Sequence, residues 1–405
     1  MPIEPESYDL VIYGGRVLDP ANSMDDPFDV AVKDGIISAV QTNIDTSNTK
    51  QIIDATGYVV TPGLIDLHTH AAAGIRKATD EEFLVTPDVA GVNAGITTIV
   101  DAGSTGALNI GGLINHVVPQ SSTRVLVLIN VGSTGVANLP EVRTEEDINH
   151  EAAVEAIKSS PAIIGTKVRM VTPGITTLGI ELPKAAKAIA DEADGLMMAH
   201  IGDIAGQDPA APKLTAQLLT EILTGGDIVT HSLSGEVGAL LASGSLIDEA
   251  QEARCNGVYF DVGVGGGNFS FESARQIIGQ GFIPDTISSD ITAASRFDGP
   301  VFSLTECMGK MMALGIAFED TIRMTTLKPA EIIGMQDEIG SLSVGTGADI
   351  SILDLVDGKF TFHERTGPGA VGTQAILPIL AVRAGKPMPI DYGPRPSGWL
   401  PDQEE

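Results

Sequence analysis

The sequence is poor in cysteine and in basic residues, and each scarcity excludes a class of protein. Two cysteines among 405 residues, Cys255 and Cys307, provide neither a disulfide framework nor a C-x-x-C metal motif. Lysine and arginine number 24 against 53 aspartates and glutamates, which gives a formal net charge of −29. Nucleic acids and anionic membranes bind basic surfaces, so neither is an expected partner.

Long apolar runs and aromatic residues are scarce as well. No stretch approaches the roughly 18 apolar residues of a transmembrane helix, and the first residues, MPIEPESYDL, lack the basic and apolar regions of a signal peptide. We therefore expect a cytoplasmic protein. A hydrophobic content of 43% can fill a large core, and 4% aromatics with 46 glycines favours buried parallel strands joined by many turns.

The two ends of the chain have a β-type pattern. Residues 8–60 contain short β-branched segments separated by Gly-Gly, Asp-Gly and Thr-Gly turns, and similar segments return after residue 335. We predict that residues 1–60 and 336–390 together form one small β-sandwich domain. Residues 391–405 are Pro-rich and acidic, which predicts an extended C-terminal arm.

Residues 61–335 alternate between strand-like and helix-like segments. The strand-like segments recur about every 30 residues, the length of a βα unit, and end near His68, Asp101, Asn130, Arg169, His200, His231, Asp261 and Asp290. Amphipathic segments lie between them, such as EEDINHEAAVEAIKSS behind a capping-box Thr144. Eight such units predict an α/β fold with a (β/α)8 TIM barrel, whose active site lies at the carboxyl ends of the strands.

The first of these strands contains an H-x-H motif in the segment TPGLIDLHTH. Asp66, His68 and His70 alternate along the strand, so their side chains share one face. Two imidazoles on one face can bind a single metal ion, although an isolated H-x-H is more often a pair of hydrogen-bonded histidines.

Further ligand-type residues follow at the ends of later strands. Lys167 lies near the end of the fourth, His200 ends the fifth, His231 the sixth and Asp290 the eighth, whereas His116, His150 and His363 lie elsewhere. Side chains at the carboxyl ends of barrel strands meet at one face of the barrel, so this pattern predicts a metal site there.

Taken together, the segments PGLIDLHTH, KVR, AHIGD, THSLSG and SSD resemble the amidohydrolase superfamily. The similarity extends over nearly the whole chain and is greatest to the branch of dihydroorotases, hydantoinases and deacetylase-like members. The resemblance implies a homo-oligomer with a two-metal centre. In that centre His68, His70 and Asp290 would bind the buried ion, His200 and His231 would bind the more exposed ion, and a carboxylated Lys167 would bridge the two.

The residue types agree with this implication. An ammonium group would repel two cations, so Lys167 fits the centre only as a carbamate formed with carbon dioxide; the alternative is a structural ion pair. Two ions about 3.5–4 Å apart would lower the pKa of a bridging water, and Asp290 would act as ligand and general acid/base. Zinc is the expected metal, with manganese, cobalt, nickel and iron left open.

Loops at the same face supply candidate substrate contacts. The segment AGSTG contributes Ser104, SLSGE contributes Ser234, and DVGVGGGNFSFE contributes Gly265, Gly266 and Asn268. Arg169 shares a strand face with Lys167 and either binds a substrate carboxylate or pairs with a neighbouring acidic residue. Deacetylase-like relatives often have histidine where Val264 and Thr292 stand here, which predicts a less polar pocket.

We therefore predict a binuclear metal-dependent hydrolase that acts on a small-molecule amide, cyclic amide or carboxylic ester, with deacylation preferred. A dihydroorotase or hydantoinase is the main alternative. A nucleobase deaminase, which usually needs one metal ion and no carbamate, agrees less well with Lys167. A non-catalytic scaffold is disfavoured because all of the expected ligands are present.

Overall fold

The computed structural model describes residues 7–75 and 83–391. The predicted C-terminal arm, residues 391–405, lies outside the described residues except for Asp391. The strands are β1 (Tyr8–Asp19), β2 (Met24–Lys33), β3 (Ile36–Gln41), β4 (Thr49–Asp54), β5 (Val59–Pro62), β6 (Leu64–Thr69), β7 (Ile96–Gly106), β8 (Arg124–Asn130), β9 (Ile163–Arg169), β10 (Leu196–His200), β11 (Ile228–Thr230), β12 (Leu241–Ala242), β13 (Ser245–Leu246), β14 (Tyr259–Phe260), β15 (Ile350–Phe362), β16 (Ala370–Arg383) and β17 (Lys386–Pro389).

A curled parallel sheet forms the centre of the molecule. Its seven strands have the order β14-β11-β10-β9-β8-β7-β6, and each neighbouring pair is parallel. Every residue of β6 and β7 is buried, as expected for parallel strands that are covered on both faces. This sheet confirms an α/β fold with a parallel central sheet.

The segment of residues 286–291 connects the two edges of this sheet. Thr286 forms a parallel bridge to Asp261 beyond β14, and Ile291 forms one to Thr69 of β6. The Asp290 amide donates to the His68 carbonyl at 2.6 Å, and the His70 amide donates to the Ile291 carbonyl at 3.1 Å. The segment therefore occupies the position of the predicted eighth strand, although its pairing is too short to form a regular strand.

Helices cover the sheet between the strands. They are α1 (Pro87–Ala90), α2 (Ile110–Gly112), α3 (His150–Ser159), α4 (Gly174–Leu178), α5 (Glu181–Glu192), α6 (Ala211–Gln217), α7 (Asp248–Cys255), α8 (Phe271–Gly279), α9 (Ala293–Asp298), α10 (Leu304–Ala313), α11 (Phe318–Thr325) and α12 (Leu327–Ile332). None of the helices in the described ranges has the length and apolar character that a membrane crossing requires.

Two predicted boundaries were wrong. The capping box of Thr144 and Asp147 is present, but it begins a single 3-10 turn; α3 starts later, behind an Asn149 cap, because Ile148 is extended. The segment AGSTG is not a loop, since β7 continues through it to Gly106. Ser104 consequently lies within a strand, which changes what its side chain can reach.

Both ends of the chain contribute to a second sheet. Its order is β17-β16-β15-β5-β1-β2-β3, with β4 also paired to β1, and Ile350–Leu353 of β15 pairs antiparallel with β5. The joint origin from both ends agrees with the prediction, but the strands pair into one hydrogen-bonded sheet and a sandwich is not confirmed. The boundaries at residues 60 and 336 remain a prediction.

Candidate metal centre and cavity

The predicted ligands come together at the carboxyl ends of the parallel strands. His68 lies on β6, Lys167 on β9 and His200 at the end of β10, while His231 directly follows β11. Asp290 lies in the segment that joins the two sheet edges. A cavity of about 400 Å³ opens at this face and is lined by His68, His70, Lys167, His200 and Asp290. The sequence-based prediction of one meeting point agrees with this placement.

Three of these residues form a compact group. One ligand atom each from His68, His70 and Asp290 lies within 4.8 Å of the others. The Oδ1 atom of Asp290 is 3.3 Å from His68 Nε2 and 3.1 Å from His70 Nε2. All three side chains are buried, so the atoms that could bind a metal ion converge where water has little access.

His200 and His231 lie beside this group. Their ring centroids are 4.1 Å apart, and the His231 ring is 5.1 Å from the His68 ring. The Nε2 atom of His231 lies 3.9 Å from Asp290 Oδ2. It is buried and has no hydrogen-bond partner among the described residues, as expected of an atom that awaits a ligand.

Hydrogen bonds to carbonyl oxygens set the tautomers of these two rings. A carbonyl can only accept, so His231 donates from Nδ1 to Gly263 at 2.6 Å, and His200 donates from Nε2 to Gly202 at 3.1 Å. The lone pair therefore resides on Nε2 in His231 and on Nδ1 in His200. Burial lowers the pKa of His231 to about 3 and that of His200 well below its usual value, so both rings are neutral.

A hydroxyl and a carboxylate hold each histidine of the H-x-H motif. Thr230 Oγ1 lies 3.0 Å from His68 Nδ1 and donates to Asp261 Oδ2 at 2.8 Å, so it accepts from the imidazole. Ser104 Oγ lies 3.0 Å from His70 Nδ1 and also hydrogen-bonds Asp101. Outer partners of this kind fix the ring orientation and raise the basicity of the metal-facing nitrogen.

Lys167 is fully buried within the same group. Its Nζ atom lies 3.0 Å from His68 Nε2 and 3.2 Å from Met198 Sδ. Within residues 7–75 and 83–391, Lys167 forms no ion pair with a carboxylate at 4.0 Å or less. Burial lowers the pKa of Lys167 to about 7, and Asp290 and Asp261 oppose this only in part. The predicted alternative of a structural ion pair has no partner here.

Asp290 combines an ionised carboxylate with an unusual backbone. Burial alone would raise the pKa of Asp290, but the interactions that favour its charged form, of which the hydrogen bond with His70 is the largest, outweigh burial, so the pKa is lowered. Asp290 and His231 have φ values of 50° and 68°. Such conformations cost free energy in non-glycine residues and concentrate at functional sites.

These observations fit a divalent metal centre. Carbonyl oxygens fix the tautomers of His200 and His231, an ionised carboxylate lies beside His68 and His70, and among the described residues the buried Nε2 of His231 lacks a hydrogen-bond partner. Imidazole and carboxylate together are a donor set that zinc and similar divalent ions bind.

The predicted substrate contacts divide into two groups. Gly266, Asn268 and Arg169 line the cavity, whereas Ser104, Ser234 and Gly265 do not line it in the part of the chain that the structure describes. Asn268 donates from Nδ2 to Asp290 Oδ2 at 3.0 Å, and Arg169 Nη1 pairs with Glu141 Oε1 at 3.1 Å. The acidic partner foreseen for Arg169 is therefore present.

The remaining predicted residues have structural contacts. Ser104 holds His70, and Ser234 is fully buried and accepts from the Glu236 amide at 3.2 Å. Val264 is fully buried, and Thr292 lines the cavity while its side chain caps α9. Substrate contact by Ser104 and Ser234 finds no support in this geometry.

Sequence reasoning missed several residues of the cavity wall. Phe83, Leu139 and Ile204 supply apolar surface, and Arg365 contributes a guanidinium from the connection between β15 and β16. Phe83, Leu139 and Arg365 lie in segments without a motif, and Ile204 follows the segment AHIGD as an apolar residue with no pattern of its own.

Comparison with known proteins gives a consistent family. The model of the amidohydrolase family matches residues 59–381. A protein of Brucella anthropi named deacetylase is 33% identical over 340 residues, which are 83% of this chain and 81% of the relative. Two solved structures, described as an adenine deaminase and a dihydroorotase, each have a TM-score of 0.84 and 29% identity. Each alignment covers 95% of this chain, together with 100% of the structure described as an adenine deaminase and 99% of the one described as a dihydroorotase.

Proposed function

The chain belongs to the amidohydrolase family, and from that premise we propose that it is a binuclear metal-dependent hydrolase that deacylates a small N- or O-acyl compound. The observation that supports this proposal is the convergence of His68, His70 and Asp290 within 4.8 Å, beside His200 and His231. The resemblance in sequence to a protein named deacetylase favours deacylation over the other reactions of the family.

The proposed ligands divide between two ions. His68 Nε2, His70 Nε2 and Asp290 would bind the first, and His200 Nδ1 and His231 Nε2 would bind the second. Zinc is the expected metal for these donors. When bound, the ions would polarise the scissile carbonyl and lower the pKa of a water molecule.

Lys167 would join the two sites as a carbamate. A buried amine with a pKa of about 7 is neutral in a large fraction of molecules at physiological pH, and the neutral amine is the form that attacks carbon dioxide. The N–C bond forms, a proton leaves, and the product carries one negative charge. That charge would offset the cations, which an ammonium group cannot do.

Asp290 would move the proton during hydrolysis. Its carboxylate is ionised and can accept a proton from the attacking water, then donate it to the leaving nitrogen or oxygen. The Asn268 amide holds one of its oxygens, which fixes the direction of the carboxylate. The products are a carboxylate and an amine or alcohol.

A cyclic amide hydrolase is the second candidate, because a solved structure described as a dihydroorotase is 29% identical over 95% of the chain. Against it, Arg169 is paired with Glu141 and Asn268 is bonded to Asp290. Two polar groups that could hold a cyclic substrate are thus already engaged.

A substrate screen with metal-loaded protein tests the proposal. We expect chelator-sensitive hydrolysis of N-acyl or O-acyl compounds and weaker hydrolysis of dihydroorotate, hydantoins and adenine. Faster ring opening of dihydroorotate would replace deacylation by the second candidate. If the protein kept its full activity after complete removal of the metal, the proposal of a metal-dependent hydrolase would be contradicted.

We also propose that the domain boundaries, the homo-oligomeric state and the cytoplasmic location are those expected from the sequence.

A further inference from the structure

The segment AHIGD, which contains His200, ends in an aspartate that is not among the proposed metal ligands. Asp203 follows β10 and is fully buried. Burial of a carboxylate costs free energy unless hydrogen bonds or opposite charges replace the lost water. Asp203 therefore requires donors around it, and the loops at the carboxyl ends of the strands provide them.

Five donors surround the Asp203 carboxylate. Its Oδ1 atom accepts from the amides of Thr172 at 2.9 Å, Gly206 at 3.1 Å and Ala205 at 3.3 Å. Its Oδ2 atom accepts from the Asp208 amide and from the Thr172 hydroxyl, both at 2.7 Å. Hydrogen bonds to a charged acceptor are stronger than those between neutral groups. The carboxylate thus connects the loop after β9 to the loop after β10.

The backbone of Asp203 contacts a third loop. Its amide donates at 2.7 Å to the carbonyl of Val237, which lies in the loop that follows β11 and His231. The first two loops are also packed closely, since a Cβ atom added to Gly206 would lie 2.5 Å from Thr172 Cβ. Asp203 is therefore the common contact of the loops after β9, β10 and β11, the strands that contain or precede Lys167 and the two later histidines.

The turn around Asp203 determines the hydrogen bond of His200. The Ile204 amide donates to the Gly202 carbonyl at 3.0 Å, so residues 202–204 form a three-residue turn with Asp203 at its centre. The same carbonyl accepts from His200 Nε2 at 3.1 Å. The direction of the Gly202 carbonyl consequently decides which ring nitrogen of His200 has the proton and which has the lone pair.

We propose that Asp203 is a positioning residue of the metal centre, which fixes the Gly202 carbonyl and thereby keeps the lone pair of His200 on Nδ1, the atom assigned to the second ion. This inference rests on the proposed two-ion centre. Asp203 is not itself a ligand, because five donors already occupy its two oxygens. Its effect reaches the ion through a backbone carbonyl, as the outer partners of metal-binding histidines commonly do.

The tautomer of His200 in metal-free Asp203→Asn tests this role without any bound ion. Asparagine keeps the size of aspartate, but its amide nitrogen cannot accept from the Asp208 amide, so two buried donors face each other. Nitrogen-15 NMR of the imidazoles reports the tautomer, and the spectrum of His200→Gln assigns the signals. We expect only the Nε2–H form of His200 in wild type and an added Nδ1–H population in Asp203→Asn. The same single tautomer in both proteins would overturn the inference.

Calorimetric titration of the metal-free proteins with Zn²⁺ provides a second measurement. We expect wild type to bind two ions per chain, and Asp203→Asn to raise the Kd of the second ion about 10- to 100-fold while the Kd of the first is unchanged. Equal affinities in the two proteins overturn the inference and leave the proposed hydrolysis intact. A wild type that binds at most one ion overturns the proposed two-ion centre, and the inference with it.

Thr172→Val is a milder variant that answers the question even if Asp203→Asn does not fold. Valine keeps the shape of threonine and removes one of the five donors, the hydroxyl 2.7 Å from Oδ2. We expect the Kd of the second ion to rise by a smaller factor than in Asp203→Asn, with an unchanged circular dichroism spectrum. A second-ion Kd equal to that of wild type in every variant that folds would contradict the proposed role.

Asp19→Asn is the matched control. Asp19 is also fully buried, accepts from the amides of Ala21 at 3.0 Å and Leu342 at 2.8 Å, and is not part of the cavity lining among the described residues. We expect its substitution to lower the Tm while the His200 tautomer and both Zn²⁺ affinities remain those of wild type. A similar change of the His200 tautomer in Asp19→Asn would assign the effect to general destabilisation and overturn the role of Asp203.

Discussion

At the scale of single residues, the partners of the histidines define the centre as much as the histidines do. His68 is held by Thr230, which is held in turn by Asp261, and His70 is held by Ser104. Asp261 accepts two further hydroxyl hydrogen bonds, from Thr286 at 2.7 Å and Ser288 at 2.6 Å. These contacts aim each Nε2 lone pair into the cavity before any ion binds.

Thr230→Val tests this function of the hydroxyl. Valine keeps the shape of threonine but cannot accept from His68 Nδ1, so the imidazole loses its fixed orientation. We expect the dissociation constant for the metal, measured by competition with a chromophoric chelator, to rise about 10- to 100-fold.

Thr98→Val is the control for that measurement. Thr98 is a fully buried threonine of β7 whose hydroxyl has no hydrogen-bond partner among the described residues. Its substitution should leave metal binding unchanged. Equal affinity in wild type and Thr230→Val would show that the hydroxyl does not orient His68.

The predictability of these residues follows from their chemistry. Histidine, lysine and aspartate at strand ends are few, so His200, His231 and Asp290 could be selected from the sequence. Serine and threonine perform many roles, and Ser104 was consequently predicted to touch substrate when it holds His70. Arg365 could not be predicted, because the approach of the β15–β16 connection to the cavity is a property of the tertiary fold.

At the scale of elements, the loop of residues 263–268 positions Asp290. Gly263 accepts from His231, and Asn268 donates to Asp290. Gly265 has a φ of 59°, and a Cβ atom there would clash with Asp290 Oδ2 and lie 2.8 Å from Asn268 Nδ2. Glycine is required at this position for its backbone conformation and for the close approach of the carboxylate.

Gly265→Ala is therefore expected to displace Asp290. A shift of about 1 Å in a catalytic group can lower turnover by about 100-fold, so we expect kcat to fall by that order while the circular dichroism spectrum stays unchanged. Gly279→Ala in α8 serves as control, because nothing lies within 4 Å of an added Cβ atom there. If Gly265→Ala kept full activity, the loop would not determine the position of Asp290.

Periodic patterns in the sequence predicted the presence of helices and strands more accurately than the residues at which these elements begin and end. The amphipathic segments became α3, α5, α6, α8 and α10. Boundaries failed where a local hydrogen bond or a tertiary contact decided the conformation, as at Asn149, which caps α3, and at Gly106, where β7 ends. Neither contact has a periodic signal in the sequence.

At the scale of the whole molecule, the centre joins distant parts of the chain. Its proposed ligands come from β6, β9, β10, the residue after β11 and the segment that connects the sheet edges. The repeat of strands predicted this convergence. The sandwich predicted for the second sheet is not confirmed, because short β-segments alone do not reveal how strands from opposite ends pair.

Metal removal is expected to destabilise the fold as a whole. An ion that binds only the native state stabilises it, and its loss leaves buried imidazoles without partners. We expect chelation to lower the Tm by about 5 °C or more in differential scanning calorimetry. A His68→Ala/His70→Ala variant should show a much smaller shift, and an unchanged wild-type Tm would mean that the metal does not stabilise the native state.

The most direct test of the account is anomalous diffraction from a crystal of the metal-loaded protein, recorded at the absorption edge of the bound metal. We expect two peaks about 3.5–4 Å apart, one against His68, His70 and Asp290 and the other against His200 and His231, with carbamate density on Lys167. No peak at this group of residues, or a peak only elsewhere on the molecule, would contradict the account.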